Sequence, residues 1–461
     1  MSSQDAHSPT HKPQARGISR LFGATIIRET AWLAGGFASK LLIQMGTLYY
    51  LTHGLGVDRV GIFFALISML ACIVPFVQLG NYDLTIRQIS RREDPQAVAG
   101  RAMRSSVACF FILMPVVLLL RPLLAGQVGW IAYVLVATGE LLVMRVVSNV
   151  QALATGFRLH YVCAVSDFLL GLSRFIAVFA ASKLGGGLDA MLMLYAFTSL
   201  PGAIVTYAWM VRRYGSPHWR GGGFFTEFRD HQRMVVAWFS EMAAREGDKP
   251  LLLALSTPAQ TGIYGTATKL FLVCIVPIDL LTQVFRPRVG QAYGDGEVSG
   301  KRTGRLMTIT LFGIGALTTV GMLTVLLLLP RFVPQLMNSH FADARVALIY
   351  LAFLPPVYGL QRAAVITAIS RGTTGIYATS TALSAVMSAS TILLLAPTYG
   401  WRGACAGLLV YLASSSAAIH ILAHFAQRKA LKAPAIEPIS LAEQIDESLA
   451  ELTGGVSVPI Q

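Results

Sequence analysis

The chain has 461 residues, of which 54% are hydrophobic and 13% charged, with a mean hydropathy of +0.59. A soluble domain keeps about a quarter of its residues charged so that water can cover its surface, so a large water-soluble enzyme is excluded. The net charge of +14, from 37 Lys and Arg against 23 Asp and Glu, would suggest nucleic acid in a soluble protein; in a membrane protein it points first to topology, because cytoplasmic loops carry the excess of Lys and Arg.

Residues 1–27 are polar and basic, with Lys12, Arg16 and Arg20. They lack the apolar core and small-residue cleavage site of a signal peptide and are read as a cytoplasmic tail. Twelve apolar runs follow, each long enough as a helix to cross a hydrocarbon core of about 30 Å. They are Trp32–Leu51, Ile62–Leu84, Ser105–Leu120, Gly129–Val150, Val162–Ser182, Ala190–Val211, Val235–Ser256, Ile263–Phe285, Leu306–Leu329, Val346–Ser370, Ile376–Ala396 and Ala404–Phe425. Barrel strands are alternating segments of about 10 residues, whereas these runs are continuous and longer. The fold class is therefore an all-α polytopic membrane protein with about twelve transmembrane helices.

The expected organisation is a tail (1–27), a six-helix lobe (28–212), a basic cytoplasmic linker (213–233), a second six-helix lobe (234–425) and a C-terminal tail (426–461). In that last tail, Ser440 and Glu443 have capping-box spacing. Leu441, Ile445, Leu449 and Leu452 form an apolar stripe that Gly454 and Gly455 stop. The stripe reads as a short helix lying on a surface, or as a docking site for a partner.

Every second linker is basic. Arg87, Arg91, Arg92, Arg101 and Arg104 follow the second run; Arg212, Arg213, Arg220, Arg229 and Arg233 the sixth; Arg286, Arg288, Lys301, Arg302 and Arg305 the eighth. The alternation predicts both termini in the cytoplasm. The opposite linkers are short, the longest being 330–345, which leaves no outside domain to hold an active site and argues against a lipid-linked glycosyltransferase or polymerase.

The halves echo one another. Gly61-Ile62-Phe63 precedes Cys72-Ile73-Val74-Pro75 in the second run, and Gly262-Ile263-Tyr264 precedes Cys274-Ile275-Val276-Pro277 in the eighth. Internal repeats are typical of transporters, with the substrate site at their interface.

Ionisable groups inside spans are costly unless paired or hydrated. Here the cations are Lys40, Arg145, Arg174, Arg245, Lys249, Lys269 and Arg362, and the acids Asp83, Glu140, Asp167, Glu241, Glu246, Asp248 and Asp279. Helical spacing places many on stripes: Lys40, Gln44 and Thr47; Asp167 and Arg174; Trp238, Glu241, Arg245 and Asp248; Tyr358 and Arg362. Such stripes from both halves predict a central hydrated cavity. Lys40, Arg174 and Arg362 have no local counter-charge, so their partners come from other helices, water or substrate. Glu241–Arg245 is either a helix-face ion pair or part of a ligand site. Glu246 and Lys249 read as structural residues that snorkel near a helix end, and Asp83 as a counter-charge for Arg87.

The candidate substrate-binding residues are Lys40, Arg145, Arg174, Arg245, Lys269, Arg362, Trp238 and Tyr358, with the two aromatics available to stack on sugar rings. Glu140, Asp167, Glu241 and Asp248 are candidates for coupling or counter-charge. Unpaired Arg and Lys in a cavity suit a phosphate-bearing substrate. No Walker A sequence, HExxH or paired-cysteine motif is present. The five cysteines, Cys72, Cys109, Cys163, Cys274 and Cys405, all fall in apolar runs. No catalytic set, metal site or cofactor is expected.

Leu55-Gly56, Val60-Gly61-Ile62-Phe63, Gly80 and Arg87, with Asp248-Lys249-Pro250-Leu251-Leu252-Leu253, Gly262-Ile263-Tyr264, Ala267, Lys269-Leu270 and Pro287, resemble Wzx-type polysaccharide flippases over most of 28–425. Phe63 departs from that pattern, which commonly reads Tyr-Gly. The resemblance implies the multidrug/oligosaccharidyl-lipid/polysaccharide exporter superfamily, with two six-helix lobes around a central cavity, as in MATE transporters and lipid II flippases. The implied substrate is an undecaprenyl-pyrophosphate-linked oligosaccharide moved across a bacterial inner membrane for exopolysaccharide, O-antigen or capsule synthesis. Implied partners are anionic lipids, a polysaccharide polymerase and a chain-length regulator, and no nucleic acid. A MATE-like cation or drug antiporter and a lipid II flippase are the rival readings; a non-transporting assembly scaffold is a third.

Overall fold

The computed structural model describes residues 24–432 apart from 91, 125–126, 158, 220–223 and 295. The tails therefore lie outside the described residues, including the expected helix from Ser440. The described residues are helical throughout, with no strand among them. In chain order the α-helices are α1 (Ala24–Gln78), α2 (Asn81–Ser90), α3 (Pro95–Leu119), α4 (Trp130–Thr138), α5 (Met144–Gly156), α6 (His160–Lys183), α7 (Leu188–Phe197), α8 (Ser199–Tyr214), α9 (Phe224–Glu246), α10 (Asp248–Leu255), α11 (Pro258–Cys274), α12 (Val276–Gly294), α13 (Glu297–Leu328), α14 (Phe332–Met337), α15 (Ala342–Leu351), α16 (Pro355–Ser370), α17 (Thr374–Tyr399) and α18 (Trp401–Lys432).

Among these residues, eight helices are long and apolar enough to cross a membrane, and ten when each of two bent pairs is taken as one span. The two others expected from the sequence are helical too, and each has a physical reason for being missed by that criterion. The first and second runs are joined within α1, where Gly56 alone leaves helical geometry, at φ 75 and ψ 169. A φ of that sign is open to glycine and strained for other residues. The seventh run is α9–α10, which carries Glu241, Arg245, Glu246, Asp248 and Lys249 and is too polar to count.

Prolines explain the breaks. The amide nitrogen of Pro250 carries no hydrogen for the carbonyl four residues back, and the helix is interrupted at Gly247. Pro277 and Pro355 play the same part where α11 meets α12, bent by 49°, and where α15 meets α16, bent by 55°. In the fourth run the irregularity is a wide π-turn over Gly139–Val143.

The outside of the bundle is apolar. Leu42, Phe111, Ile131, Leu317, Leu328 and Leu394 are exposed, which water would penalise and hydrocarbon does not. Inside, one continuous core joins both halves: Ile62, Leu66 and Leu70 of α1 pack with Tyr264, Leu252 and Tyr358 of the second half. The two echo motifs meet face to face. A Cβ on Gly61 would lie 2.8 Å from the nitrogen of Gly262, and one on Gly262 would lie 3.2 Å from the nitrogen of Gly61. Only hydrogen fits between these backbones, so α1 and α11 cross at their closest where the two halves repeat one another. Further along, α1 runs down α9, with Ser68 bonded to Glu246, Cys72 to the carbonyl of Met242, and Phe76 against Phe239.

Candidate functional site

Three charged groupings are held between the helices, and the irregular helices supply most of them. The first lies in the second half. Glu241 of α9 accepts from Arg362 Nη1 at 2.7 Å, from Arg245 Nη1 at 3.4 Å and from Tyr377 Oη at 2.7 Å. Arg362 Nε donates to Tyr358 Oη at 2.8 Å, and Tyr358 Oη donates to Asp279 at 2.6 Å. The guanidinium of Arg362 lies 5.0 Å from the centre of the Tyr358 ring and that of Arg245 lies 5.5 Å from it, an arrangement favoured by the ring's quadrupole. Glu241 thus bridges an arginine of its own helix and one 121 positions away.

The second grouping sits where the halves touch. The Lys249 ammonium donates to Glu246 at 2.9 Å, to Asp248 at 3.0 Å and to the Arg245 carbonyl at 3.2 Å. All three ammonium protons are therefore used, one on a carbonyl at the helix break. Tyr264 Oη donates to the other oxygen of Asp248 at 2.5 Å, and Ser68 Oγ of α1 donates to Glu246 at 2.7 Å. Asp248 and Lys249 are fully enclosed.

The third grouping lies in the first half. The π-turn positions Glu140 to pair with Arg174 of α6, whose guanidinium also lies 4.4 Å from the centre of the Tyr195 ring. Arg145 donates to Gln78 at 3.3 Å, Gln78 donates to Ser148 at 2.7 Å, and Arg145 Nε is buried without a partner. Arg174 lies within electrostatic range of both Arg145 and Lys269 of α11. Lys269 has no hydrogen bond or ion pair among the described residues; Glu246 is the opposite charge that acts on it most strongly. A cavity of about 30 Å³ lies beside the second grouping, lined by Arg245, Glu246, Lys249, Thr268, Tyr358 and apolar side chains.

The sequence-predicted residues are distributed unevenly over these groupings. Arg245, Arg362, Glu241 and Tyr358 come together, and Arg174 meets Glu140. Arg174 and Arg362, which lack local partners in sequence, take theirs from other helices. Asp167 accepts from Gln151 at 2.8 Å and lies within electrostatic range of Arg174 in the third grouping. Trp238 is half-buried on α9 and takes part in none of the ring contacts or hydrogen bonds found among the described residues. The side chains of Lys40, Asp83 and Arg87 lie outside the described residues.

Three expectations change. Glu246 and Lys249 do not snorkel; they form a buried triad with Asp248, because the Pro250 break turns the end of α9 into the interior. Asp248 does not face a cavity but is locked by Lys249 and Tyr264. Tyr358 is buried with two guanidiniums near its ring, and the cavity of about 30 Å³ that it lines is too small for a sugar ring. Conversely, Ser68, Gln78, Tyr195 and Tyr377 carry no mark in the sequence, and Tyr264 stands out there only as part of a repeated motif. A hydroxyl or amide in an apolar run was the only available signal, and many such residues in this chain simply bond their own helix, as Thr381 does with Tyr377.

No family model and no curated protein matches the chain. Solved structures do. A MOP superfamily transporter from Pyrococcus furiosus, described as having a binding pocket of reverse polarity that suggests a different function, is similar with a TM-score of 0.67 at 15% identity, over 88% of this chain and 96% of that one. An inward-facing multidrug resistance MATE transporter of the MOP superfamily is similar with a TM-score of 0.66 at 15% identity, over 87% and 100%. A MATE transporter of Vibrio cholerae gives 0.60 at 14%, over 87% and 98%. The chain has the MATE transporter fold, an all-α multi-pass membrane architecture.

Proposed function

We propose that this protein is an alternating-access transporter that moves an anionic, lipid-linked oligosaccharide carrying a pyrophosphate across a bacterial inner membrane, with both termini in the cytoplasm. One observation carries this reading. Among the described residues, each carboxylate of the charged groupings is already held, Glu140 by Arg174, Glu241 by two arginines, Glu246 and Asp248 by Lys249, and Asp279 by Tyr358. The groups left over are cations: Lys269 lacks a counter-ion and Arg145 has an unfilled donor. Buried cationic donors without acceptors favour an anion. Phosphate oxygens would fill the donors that the protein leaves open, and the hydrated cavity would lower the cost of taking a sugar headgroup through hydrocarbon. The polyprenyl tail would stay in lipid.

A second reading, a cation or drug antiporter, is favoured by the fold itself, since several similar structures are multidrug MATE transporters. It requires an acid free to meet a cationic substrate, and the acids named above are occupied. The description of the Pyrococcus neighbour supports the view that pocket polarity can differ within this fold.

Purified protein in liposomes separates the two. Lipid-linked oligosaccharide should become accessible in the opposite leaflet with wild type, and Lys269→Ala and Arg145→Ala should each slow this by about tenfold or more, equivalent to about 1.4 kcal/mol. Efflux of a cationic dye driven by a proton gradient, with no movement of the lipid-linked sugar, would replace the first reading by the second.

A further inference from the structure

The bridging carboxylate of Glu241 lies in the place where a bound anion would bind two guanidiniums. We infer that anion binding at Arg245 and Arg362 is accompanied by protonation of Glu241, so that the site takes up a proton together with its anion. This inference deepens the reading of an anionic substrate and rests on it.

The geometry supplies the reason. Glu241 accepts from Arg362 at 2.7 Å, from Arg245 at 3.4 Å and from Tyr377 at 2.7 Å. Each guanidinium is a planar fork suited to a carboxylate or a phosphate. A diphosphate that engages both arginines displaces their carboxylate. A charged Glu241 would then sit beside the incoming anion in a site of low dielectric, where like charges repel strongly. Protonation removes that repulsion, and the neutral acid can still accept from Tyr377. The proton comes from water in the cavity, and no bond other than the O–H of the carboxylic acid is made.

Every element packed around Glu241 bears on the exchange. From α9 comes Arg245, from α16 Arg362 and Tyr358, from α12 Asp279, and from α17 Tyr377. From α18 comes Tyr411, and from α1 comes Cys72, which donates to the neighbouring Met242 carbonyl at 3.7 Å. Asp279 is held by Tyr358 Oη and lies 3.8 Å from Arg362, so it remains as the counter-charge when Glu241 becomes neutral. Tyr411 adds an independent observation. It is fully buried, its hydroxyl has no partner, and it stands in the electrostatic environment of Glu241, Arg245, Arg362 and Tyr358. A buried hydroxyl without a partner is unfavourable. Here it is a ready donor for an oxygen that arrives with the ligand.

The test uses full-length protein in lipid nanodiscs and a short-chain prenyl-diphosphate-linked hexose, a diester whose phosphates stay ionised near neutral pH. Its affinity for wild type should weaken with rising pH, by up to about tenfold per pH unit for one linked proton. Glu241→Gln, which imitates the protonated acid, should bind with the same affinity across that range and match wild type at the acidic end. A pH-independent wild-type affinity, or a wild-type slope in the Gln variant, would overturn the inference. Calorimetry of wild type in two buffers of different ionisation heat gives a readout independent of the variant: proton uptake on binding is expected, and zero uptake overturns it. Failure of the probe to bind wild type at any pH would instead overturn the anionic-substrate reading on which it rests.

Discussion

The two halves handle buried charge in different ways. In the second half, prolines break α9–α10, α11–α12 and α15–α16, and the charges introduced at those breaks close into networks: Glu241 with two arginines, Lys249 with two acids and a carbonyl. In the first half, the irregularities beside the charges are a π-turn at Glu140 and a break after Gln78, where Leu79 and Gly80 have φ of 48 and 71, and Arg145 is left with an unfilled donor. A closed network holds a shape, whereas an open donor waits for a ligand. Lys269 of the second half likewise lacks a direct ion pair, although it stands in the field of Glu246, Lys249 and Asp248 and, more weakly, of Arg174.

The largest expected effect is on the triad that joins the halves. Lys249→Met leaves Asp248 and Glu246 buried without their cation and should cost about 3–5 kcal/mol, read from chemical unfolding in detergent. Adding Asp248→Asn should recover part of that loss, and a double variant as unstable as the single one would mean that the triad does not hold the interface. Next comes the glycine crossing. Gly262→Ala brings a Cβ against the backbone of α1 and should cost about 1–3 kcal/mol by overpacking. If it is neutral, the halves are not pinned at the point where their repeats meet. A contrast between open and closed charges follows. Arg145→Ala should reduce transport while changing the unfolding midpoint little, because no ion pair is lost, whereas Arg362→Ala should lower both. Equal destabilisation by the two variants would erase the distinction between the halves. The smallest effect belongs to Tyr195. Phe at this position keeps the ring beside Arg174 but loses the hydroxyl that meets Glu140 and should cost about 0.5–1.5 kcal/mol, while Leu should lose a further ~0.5–2 kcal/mol of cation–π attraction.

Much of the architecture was legible because hydrocarbon imposes a simple rule. A backbone out of reach of water must satisfy itself, so long apolar runs become helices. Their apolar centres lie on helices, though α3 begins at Pro95 and α13 at Glu297, well before the expected Ser105 and Leu306, because polar residues of the expected cytoplasmic linkers continue those helices. Charge stripes on single helices were equally visible: Glu241 with Arg245, and Tyr358 with Arg362, share a face at four-residue spacing. Pairings across helices were not. Nothing in the sequence ties Glu140 to Arg174, Glu241 to Arg362 and Tyr377, or Ser68 to Glu246, since each pair is separated by between 34 and 178 positions. Lys249 misled for a related reason. Beside a proline near the end of an apolar run it resembles a snorkelling residue, and only the break at Gly247 turns it inward.

Composition and apolar length therefore settled the solvent, the helices and the excess of cations, because those depend on each segment's own transfer energy. The status of each charge, whether spent on a neighbour or kept for a ligand, depends on the crossing of helices from distant parts of the chain. The net charge of +14 said nothing about it. Packing consumed most of the intramembrane cations seen among the described residues and left Lys269 without a direct ion pair and Arg145 with a spare donor; the proposed anion site starts from those two and draws in Arg245 and Arg362 only when Glu241 gives them up.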